Sequence, residues 1–273
     1  MITDKITKYL EAESITVDHY LKKNVEKLAG FAFKRQFMGE KGDSKGKLRL
    51  SYAGKCARQI AYKYHGYEVA GKEIDGRAKI IFFQGDLVEL MLMNLAKLAG
   101  CNVMATGLEQ VTLSIPIDVG GCTHVEGHPD GYIIHGGCKL VECKSMSSFA
   151  YSRFDKGEID DAYRAQINMY LEASGLTECV LVAMNKDNGV IGELMVEKDA
   201  KIVEGSKEKL ASVISSTKDD LPEGMYECNE KNIYPWQCLY CGYHCLCHVN
   251  AEKVLVGRSY KLKEKEEEVK EEA

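Results

Sequence analysis

The order of hydrophobic patterns predicts a mixed α/β protein, a central mixed sheet flanked by helices. Three observations carry that expectation. Residues 77–98 hold Ile80, Phe83, Leu87, Leu90, Met91, Leu95 and Leu98 at helical spacing. Two β-rich runs, 132–135 and 139–144, are joined by Gly136-Gly137, a strong hairpin signal. A further helix over 158–173 precedes two more β-rich runs, 179–185 and 190–196. Helix, strand, hairpin, helix and strand in that order fit helices packed on a mixed sheet.

The remaining elements follow along the chain. The first residues, MITDKITKYLEAES, contain no apolar signal core, so nothing suggests secretion. Residues 17–38 carry Val17, Leu21, Val25, Leu28 and Ala29 at helical spacing, and 39–46 reads as a loop. Ser51 is a candidate N-cap for a helix running to about His65, with a connection over 66–76. A strand is expected near 108–115, ahead of the hairpin. Residues 198–216 read as a polar helix that Pro222 and Gly224 end before a cysteine-dense segment. The charged tail, KLKEKEEEVKEEA, reads as a frayed helix or disorder without assigned function. No internal repeat is evident.

Composition narrows the class. With 273 residues, 45% hydrophobic and 28% charged, the chain can bury a full core as one large domain or two small ones. No stretch has the 18 or more apolar residues of a membrane span. A net charge of −5 is unlike that of a nucleic-acid binder, but residues 41–63 carry seven Lys/Arg against one acid, with Tyr52 and Tyr62 interleaved. Such a segment could contact phosphates. Eleven cysteines in a chain without a secretion signal argue for metal or cluster ligation in a reducing compartment.

Chemistry concentrates in two places. Around the hairpin, Asp130 precedes the first run and Glu142 and Lys144 lie in the second, two residues apart and so on one strand face. Two carboxylates and a lysine on one face can bind a divalent cation beside a positioned water. The turn decides whether they meet. A two-residue Gly136-Gly137 turn sets Asp130 opposite Cys143, on the face away from Glu142; a three-residue loop over 135–137 sets it opposite Glu142. The site therefore requires a three-residue or bulged turn, or a bend that swings Asp130 across.

The second place is 228–247, with Cys228, Cys238, Cys241, Cys245 and Cys247 within twenty residues. Cys238 and Cys241 have the spacing by which two thiolates grip one metal from a tight turn, and a third ligand is available at Cys245 or Cys247. His244 and His248, four residues apart, leave zinc open as the metal.

Taken together, five motifs in order resemble the RecB-like branch of the PD-(D/E)XK nucleases. The nearest resemblance is to members with a four-cysteine iron–sulfur cluster: CRISPR-associated adaptation exonucleases, AddB-type nuclease domains and phage exonucleases. The motifs are Ser51 to Cys56-Ala-Arg58; Gly85 to Glu89; Gly127-His-Pro-Asp130 with Glu142-Cys-Lys144; Tyr163, Gln166 and Tyr170; and Cys238, Cys241 and Cys247. The resemblance spans about residues 51–247. It implies a restriction-endonuclease-like core (about 77–197) in a nuclease domain over 51–250, a helical extension over 1–50 and a charged tail over 251–273.

The resemblance also implies roles. Asp130, Glu142, the backbone carbonyl of Cys143 and, from its helix, Glu89 would hold Mg²⁺ or Mn²⁺. Lys144 would orient or help deprotonate the attacking water. Gln166 and Tyr170 would position the scissile strand or the lysine, and Arg58 would contact a phosphate. Cys56, Cys238, Cys241 and Cys247 would bind a [4Fe–4S] cluster, with Zn²⁺ the alternative and Cys245 the competitor of Cys247. The implied activity is exonucleolytic hydrolysis of DNA in recombination, repair, phage DNA processing or CRISPR adaptation. The setting would be the cytoplasm of a bacterial, archaeal or virus-infected cell, with a helicase, recombinase or adaptation protein as partner and oligomers allowed. The competing class is a DNA-binding or adaptor module without turnover, or a zinc-binding protein, on the same fold.

Overall fold

A computed structural model of the chain describes residues 1–12, 19–38, 46–69, 76–257 and 259–265. Val17, the loop over 39–45, residues 70–75 of the connection and the tail from 266 lie outside the described residues. The helices are α1 (Ile2–Leu10), α2 (His19–Phe37), α3 (Ala57–Tyr64), α4 (Gly76–Leu98), α5 (Ser148–Phe154), α6 (Asp161–Ser174), α7 (Ala200–Ser215), α8 (Trp236–Leu239) and α9 (His244–Cys247). The strands are β1 (Val103–Met104), β2 (Leu113–Asp118), β3 (Cys122–Gly127), β4 (Gly131–Ile134), β5 (Cys138–Met146), β6 (Glu178–Asn185), β7 (Ile191–Glu197), β8 (Ala251–Val256) and β9 (Ser259–Glu264). These residues form two compact units.

The first unit comprises Met1–Ser44, Leu48–Gly54 and Gly76–Glu208. It is a mixed α/β fold: a central sheet in the order β1-β4-β5-β6-β7, flanked by helices. Only β5 and β6 run parallel, and the α5–α6 crossover between them supplies the long connection that parallel neighbours need. Alternation along β5 sorts its side chains. Val141 and Cys143 join Val180 and Val182 of β6 in a core closed by Ile2 and Ile6 of α1 and by Val88, Leu92, Met93 and Ala96 of α4. Glu142 and Lys144 take the other face, toward α6. Strands β2 and β3 pair separately and bury Ile115, Ile117 and Val125.

Several expectations change here. The opening residues form α1, whose Ile2 and Ile6 sit four apart on one face and are fully buried in the sheet's core. Burying each is worth about 1.5–3 kcal/mol. Glu193 of β7 accepts the amides of Ile2 and Thr3 at 2.8 and 3.3 Å, an acid at a helix N-terminus. Helix α1 is thus part of the first unit's core. Residues 108–115 begin as a 3₁₀ turn (Gly107–Glu109), and the strand starts only at Leu113. β1, β3 and α5 have no clear sequence pattern; β1 is two residues long, and in β3 Val125 is buried between exposed His124 and Glu126.

The second unit comprises Lys45–Lys47, Lys55–Asp75 and Lys209–Ala273, so the cysteine-bearing segments form a unit of their own. Its N-terminal helix is α3, which begins at Ala57 with Cys56 as N-cap; Ser51 instead lies in a 3₁₀ turn of the first unit. Tyr62 of α3 stacks on Tyr243, with ring centroids 5.3 Å apart. Cys238, Leu239 and Leu262 make a small core beside α8. Residues 251–264, read as charged tail, form the antiparallel β8–β9 hairpin. Leu262, 1% exposed, is the one strong apolar anchor in that strand, which explains why its lysines and glutamates read as solvated.

Candidate active site

The β4–β5 hairpin pairs Gly131 with Val141, Tyr132 with Leu140, Ile133 with Lys139 and Ile134 with Cys138. Three residues, His135 to Gly137, therefore close the turn, with His135 N–H donating to the Gly137 carbonyl at 2.9 Å. Gly136 and Gly137 adopt φ of 62° and 125°, where a side chain would be strained. This is the register that sets Asp130 opposite Glu142, one step beyond the last pair. Asp130 turns its Oδ2 onto the backbone N–H of Cys143, 2.7 Å away. In an extended strand the N–H and C=O of one residue leave on the same side, so the Cys143 carbonyl leaves β5 on the side where Asp130 stands.

Glu142 is 2% exposed and is the centre of the arrangement. Its Oε1 accepts from Lys144 Nζ in an ion pair and from Gln166 Nε2 at 2.6 Å. Its Oε2 is buried without a hydrogen-bond partner. A buried carboxylate oxygen left open is costly unless something else satisfies it. Lys144 also sits 5.1 Å from the centroid of the Tyr163 ring. Tyr163, Gln166 and Tyr170 share one face of α6, the face turned to β5. Tyr170 packs where Gly127 leaves room: a β-carbon there would lie 2.6 Å from its ring.

Glu89 enters from α4 and acts through space on Glu142 and Asp130. Burial, then Glu142 and Asp86, push its carboxyl up to about 7. Burial likewise raises Asp130 well above the carboxylate range, with Glu142 and Glu89 adding repulsion. Burial works against the charge on Lys144, but Glu142 and Asp130 outweigh it and hold the ammonium protonated. Tyr170 is raised by burial and then by Glu142, so its hydroxyl keeps its proton.

The donors fit a hard divalent cation in kind: carboxylate oxygens, one of them open, beside a strand carbonyl. Among the described residues no three His, Cys, Asp or Glu side chains are already drawn together to hold a metal. Gln110 had no signal in the sequence, being a lone amide between weak patterns. It donates to Glu89 Oε1 at 3.0 Å and fixes that carboxylate. Arg35, paired with Asp86, contributes a cation nearby.

The cysteine segment, within the second unit, brings Cys56, Cys238, Cys241 and Cys247 to the walls of one cavity of about 30 Å³. Cys245 is exposed and bonds to His244 Nε2 at 3.2 Å instead of lining it. Burial pushes the Cys238 thiol up to about 12, with Cys247, Cys56 and Cys241 adding mutual repulsion. Thiols are the donor type of a thiophilic centre, and these four line the same cavity. Met225 N–H donates to Cys56 Sγ at 3.3 Å. Arg58 donates to the Pro222 carbonyl at 2.8 Å and to the Cys247 sulfur. Two of its donors are therefore engaged beside the thiols. Tyr52 and Tyr62, read with the basic segment as phosphate-facing, are buried at 7% and 6% exposure.

No protein family and no curated protein matches the sequence. Among solved structures, the chain shares the fold of SSO0001, with a TM-score of 0.50 and 19% identity, over 83% of this chain and 93% of that one. Fainter likenesses are to two exonucleases. One is the alkaline exonuclease LHK-Exo from Laribacter hongkongensis, with a TM-score of 0.39 and 16% identity, over 67% of this chain and 93% of that one. The other is a phage-related exonuclease from Haemophilus somnus 129PT, with a TM-score of 0.36 and 12% identity, over 61% and 91%.

Proposed function

We propose that this chain is a divalent-metal-dependent DNA exonuclease. The observation that carries the reading is the two-sided use of Glu142: Lys144 and Gln166 hold one oxygen, while the other is buried and has no hydrogen-bond partner. Asp130, Glu142 and the Cys143 carbonyl would hold Mg²⁺ or Mn²⁺, with Glu89 adding a carboxylate from α4. When bound, such an ion supplies Lewis acidity to a phosphate oxygen and acidity to a water.

The chain's own residues divide the remaining work. Lys144, kept protonated by its carboxylates, donates to the attacking water and offsets the charge that builds on the phosphate, as a preorganised donor does. Tyr163 limits the positions its Nζ can take. Gln166 fixes the rotamer of Glu142, and Tyr170 offers a protonated hydroxyl to the strand. Gln110 orients Glu89.

In the second unit, Cys56, Cys238, Cys241 and Cys247 would hold a [4Fe–4S] cluster that staples residues 55–75 to residues 209–273. Reduced thiols of this kind fit the cytoplasm, and none of the described helices is long and apolar enough to cross a membrane. Zinc is the second reading there, because His244 and His248 line the same cavity. Colour separates the two: a cluster absorbs broadly near ~400 nm and zinc does not. Recombination, repair, phage DNA processing and CRISPR adaptation are the settings that use such a nuclease, with a helicase, recombinase or adaptation protein as partner.

The test is digestion of end-labelled DNA, single- and double-stranded, linear and circular, with Mg²⁺ and Mn²⁺ compared. Degradation of linear but not circular DNA, abolished by Lys144→Ala with binding retained, is expected. Equal degradation by pure Lys144→Ala protein refutes the assignment.

A further inference from the structure

We propose that the paired helices α2 and α4 form a landing surface for single-stranded DNA ahead of the carboxylate site. The proposal rests on the nuclease reading only for where the strand leads. Phe31, Phe33, Phe37, Ile80, Ile81 and Phe82 lie on these two helices, and all are 40–55% exposed. The rings of Phe33 and Phe37 meet Phe83 edge-on, at 5.8 and 5.3 Å, which braces the two helices. Of the exposed side chains, Phe31 and Phe82 each lie four residues before a partner of the Arg35–Asp86 ion pair, so two exposed rings stand on the side of the helices where that pair lies.

Charge selects the occupant. From Lys27 to the end of α2, and over 76–85 at the start of α4, the chain carries Lys27, Lys34, Arg35, Arg77 and Lys79 and no acid, although its net charge is −5; Arg35 is paired with Asp86, just beyond the second stretch. A second copy docked about a two-fold axis would set these cations against themselves. A single strand offers what this face lacks, a row of phosphates, together with flat bases free to stack on exposed rings. A duplex hides those base faces.

Position gives the direction. Lys79, Phe82, Asp86 and Glu89 follow one another at spacings of three and four, so they share one stripe of α4. Phe82 lies two turns before Glu89, about 10.5 Å along the helix. Phe31 and Arg35 form the matching stripe of α2, and the Arg35–Asp86 ion pair joins the two. Gly85 lies between the ring and the carboxylate, and a β-carbon there would meet nothing in the protein. A mid-helix glycine weakens the helix, and here no packing contact requires it; what it leaves is a floor low enough for a backbone to approach. The stripe turns acidic at Asp86 and Glu89, where a divalent cation would be needed to admit a phosphate.

The test is binding of fluorescein-labelled oligo-dT, and of its duplex with oligo-dA, to the full chain in EDTA, where no hydrolysis intervenes. The single strand is expected to bind more tightly than the duplex. Phe82→Ala should weaken oligo-dT binding roughly tenfold, Phe82→Trp should restore it with quenching of the new indole, and Phe82→Leu should not. Lys34→Ala and Lys79→Ala should each flatten the salt dependence. If Phe82→Ala perturbs folding, the Trp and Leu variants decide between ring stacking and apolar bulk. Unchanged binding in both Phe82→Ala and Phe82→Leu overturns the proposal, whatever hydrolysis does. So does an abasic strand that binds as tightly as oligo-dT and is displaced by polyglutamate, which would make the face a site for an acidic protein. A lower sedimenting mass for Phe31→Ala with unchanged oligo-dT binding would make it an interface between copies, again overturning it. Ring-dependent binding by a protein that never degrades DNA in Mg²⁺ or Mn²⁺ would refute the nuclease reading and leave this one standing.

Discussion

Gln166 reaches from α6 to Glu142 Oε1 at 2.6 Å, the same oxygen that Lys144 engages. One amide thus ties α6, the second helix after the hairpin, to the carboxylate inside it, and leaves the second oxygen of Glu142 open. Removing that tie frees the Glu142 rotamer without removing a charge. Gln166→Leu should therefore lower hydrolysis by about 10–100-fold and raise the metal concentration needed for half-maximal rate. Titration of activity against Mn²⁺ measures both; an unaltered metal requirement would mean that Gln166 does not orient Glu142.

Lys144 faces a stronger demand. Lys144→Ala strips the buried partner from Glu142 and removes the donor placed for the water and the phosphate. Hydrolysis should fall at least ~100-fold, and the loss should appear in kcat while oligonucleotide affinity in EDTA holds. A variant that loses affinity and keeps kcat would assign Lys144 to binding instead.

The raised carboxyls give a pH dependence with a definite sign. Glu89 is pushed up to about 7 from an ordinary 4.5, and Asp130 moves the same way. Between those values the folded state holds protons that the unfolded chain has released, so stability falls as pH rises through that window. The Tm of metal-free protein should therefore drop between about pH 4.5 and about pH 7. Glu89→Gln should flatten part of the slope, and saturating Mn²⁺ should flatten more of it. Calorimetric melts with and without EDTA are the measurement, and an identical slope in Glu89→Gln would show that Glu89 is not the group involved.

The hairpin loop can be edited directly. Deleting Gly136 leaves two residues to close the turn and moves the register by one, which carries Asp130 to the face away from Glu142. Hydrolysis should be lost while far-ultraviolet circular dichroism stays near that of the parent. Full activity in the deletion variant would mean that Asp130 is not a ligand.

The two cysteines in competition are separable by one substitution each. Cys247 lines the cavity with Cys56, Cys238 and Cys241, and Cys245 does not. Cys247→Ser should bleach the absorbance near ~400 nm and lower the Tm, because a ligated centre contributes its binding energy to folding. Cys245→Ser should leave both as they were. The opposite pattern would exchange their roles.

Much of this architecture could be read from pattern alone. The apolar spacing of Leu87, Leu90, Leu95 and Leu98 is long enough to define α4, and the runs around Gly136-Gly137 define β4 and β5 within two residues at each end. Elements held by a few contacts were not legible. α1 is anchored by Ile2 and Ile6 among charged neighbours, and β9 by Leu262 among lysines and glutamates; in both, local composition resembles solvated chain and only the partner surface makes the difference. Gln110 was invisible for a related reason, since an isolated amide has no periodicity to betray it.

By itself, then, the sequence determined which side chains were available, and that Glu142 and Lys144 share a strand face, because side-chain direction in a strand alternates with a period of two. It also set the rule that Asp130 could meet Glu142 only across a three-residue or bulged turn, or through a bend that swings it across. Only the tertiary structure decided that this turn forms, that Gln166 and Lys144 converge on one oxygen of Glu142, and that Cys247 rather than Cys245 faces the other three thiols. The last two outcomes depend on bringing together segments 24 to nearly 200 residues apart, and no local preference of the chain encodes a distance of that kind.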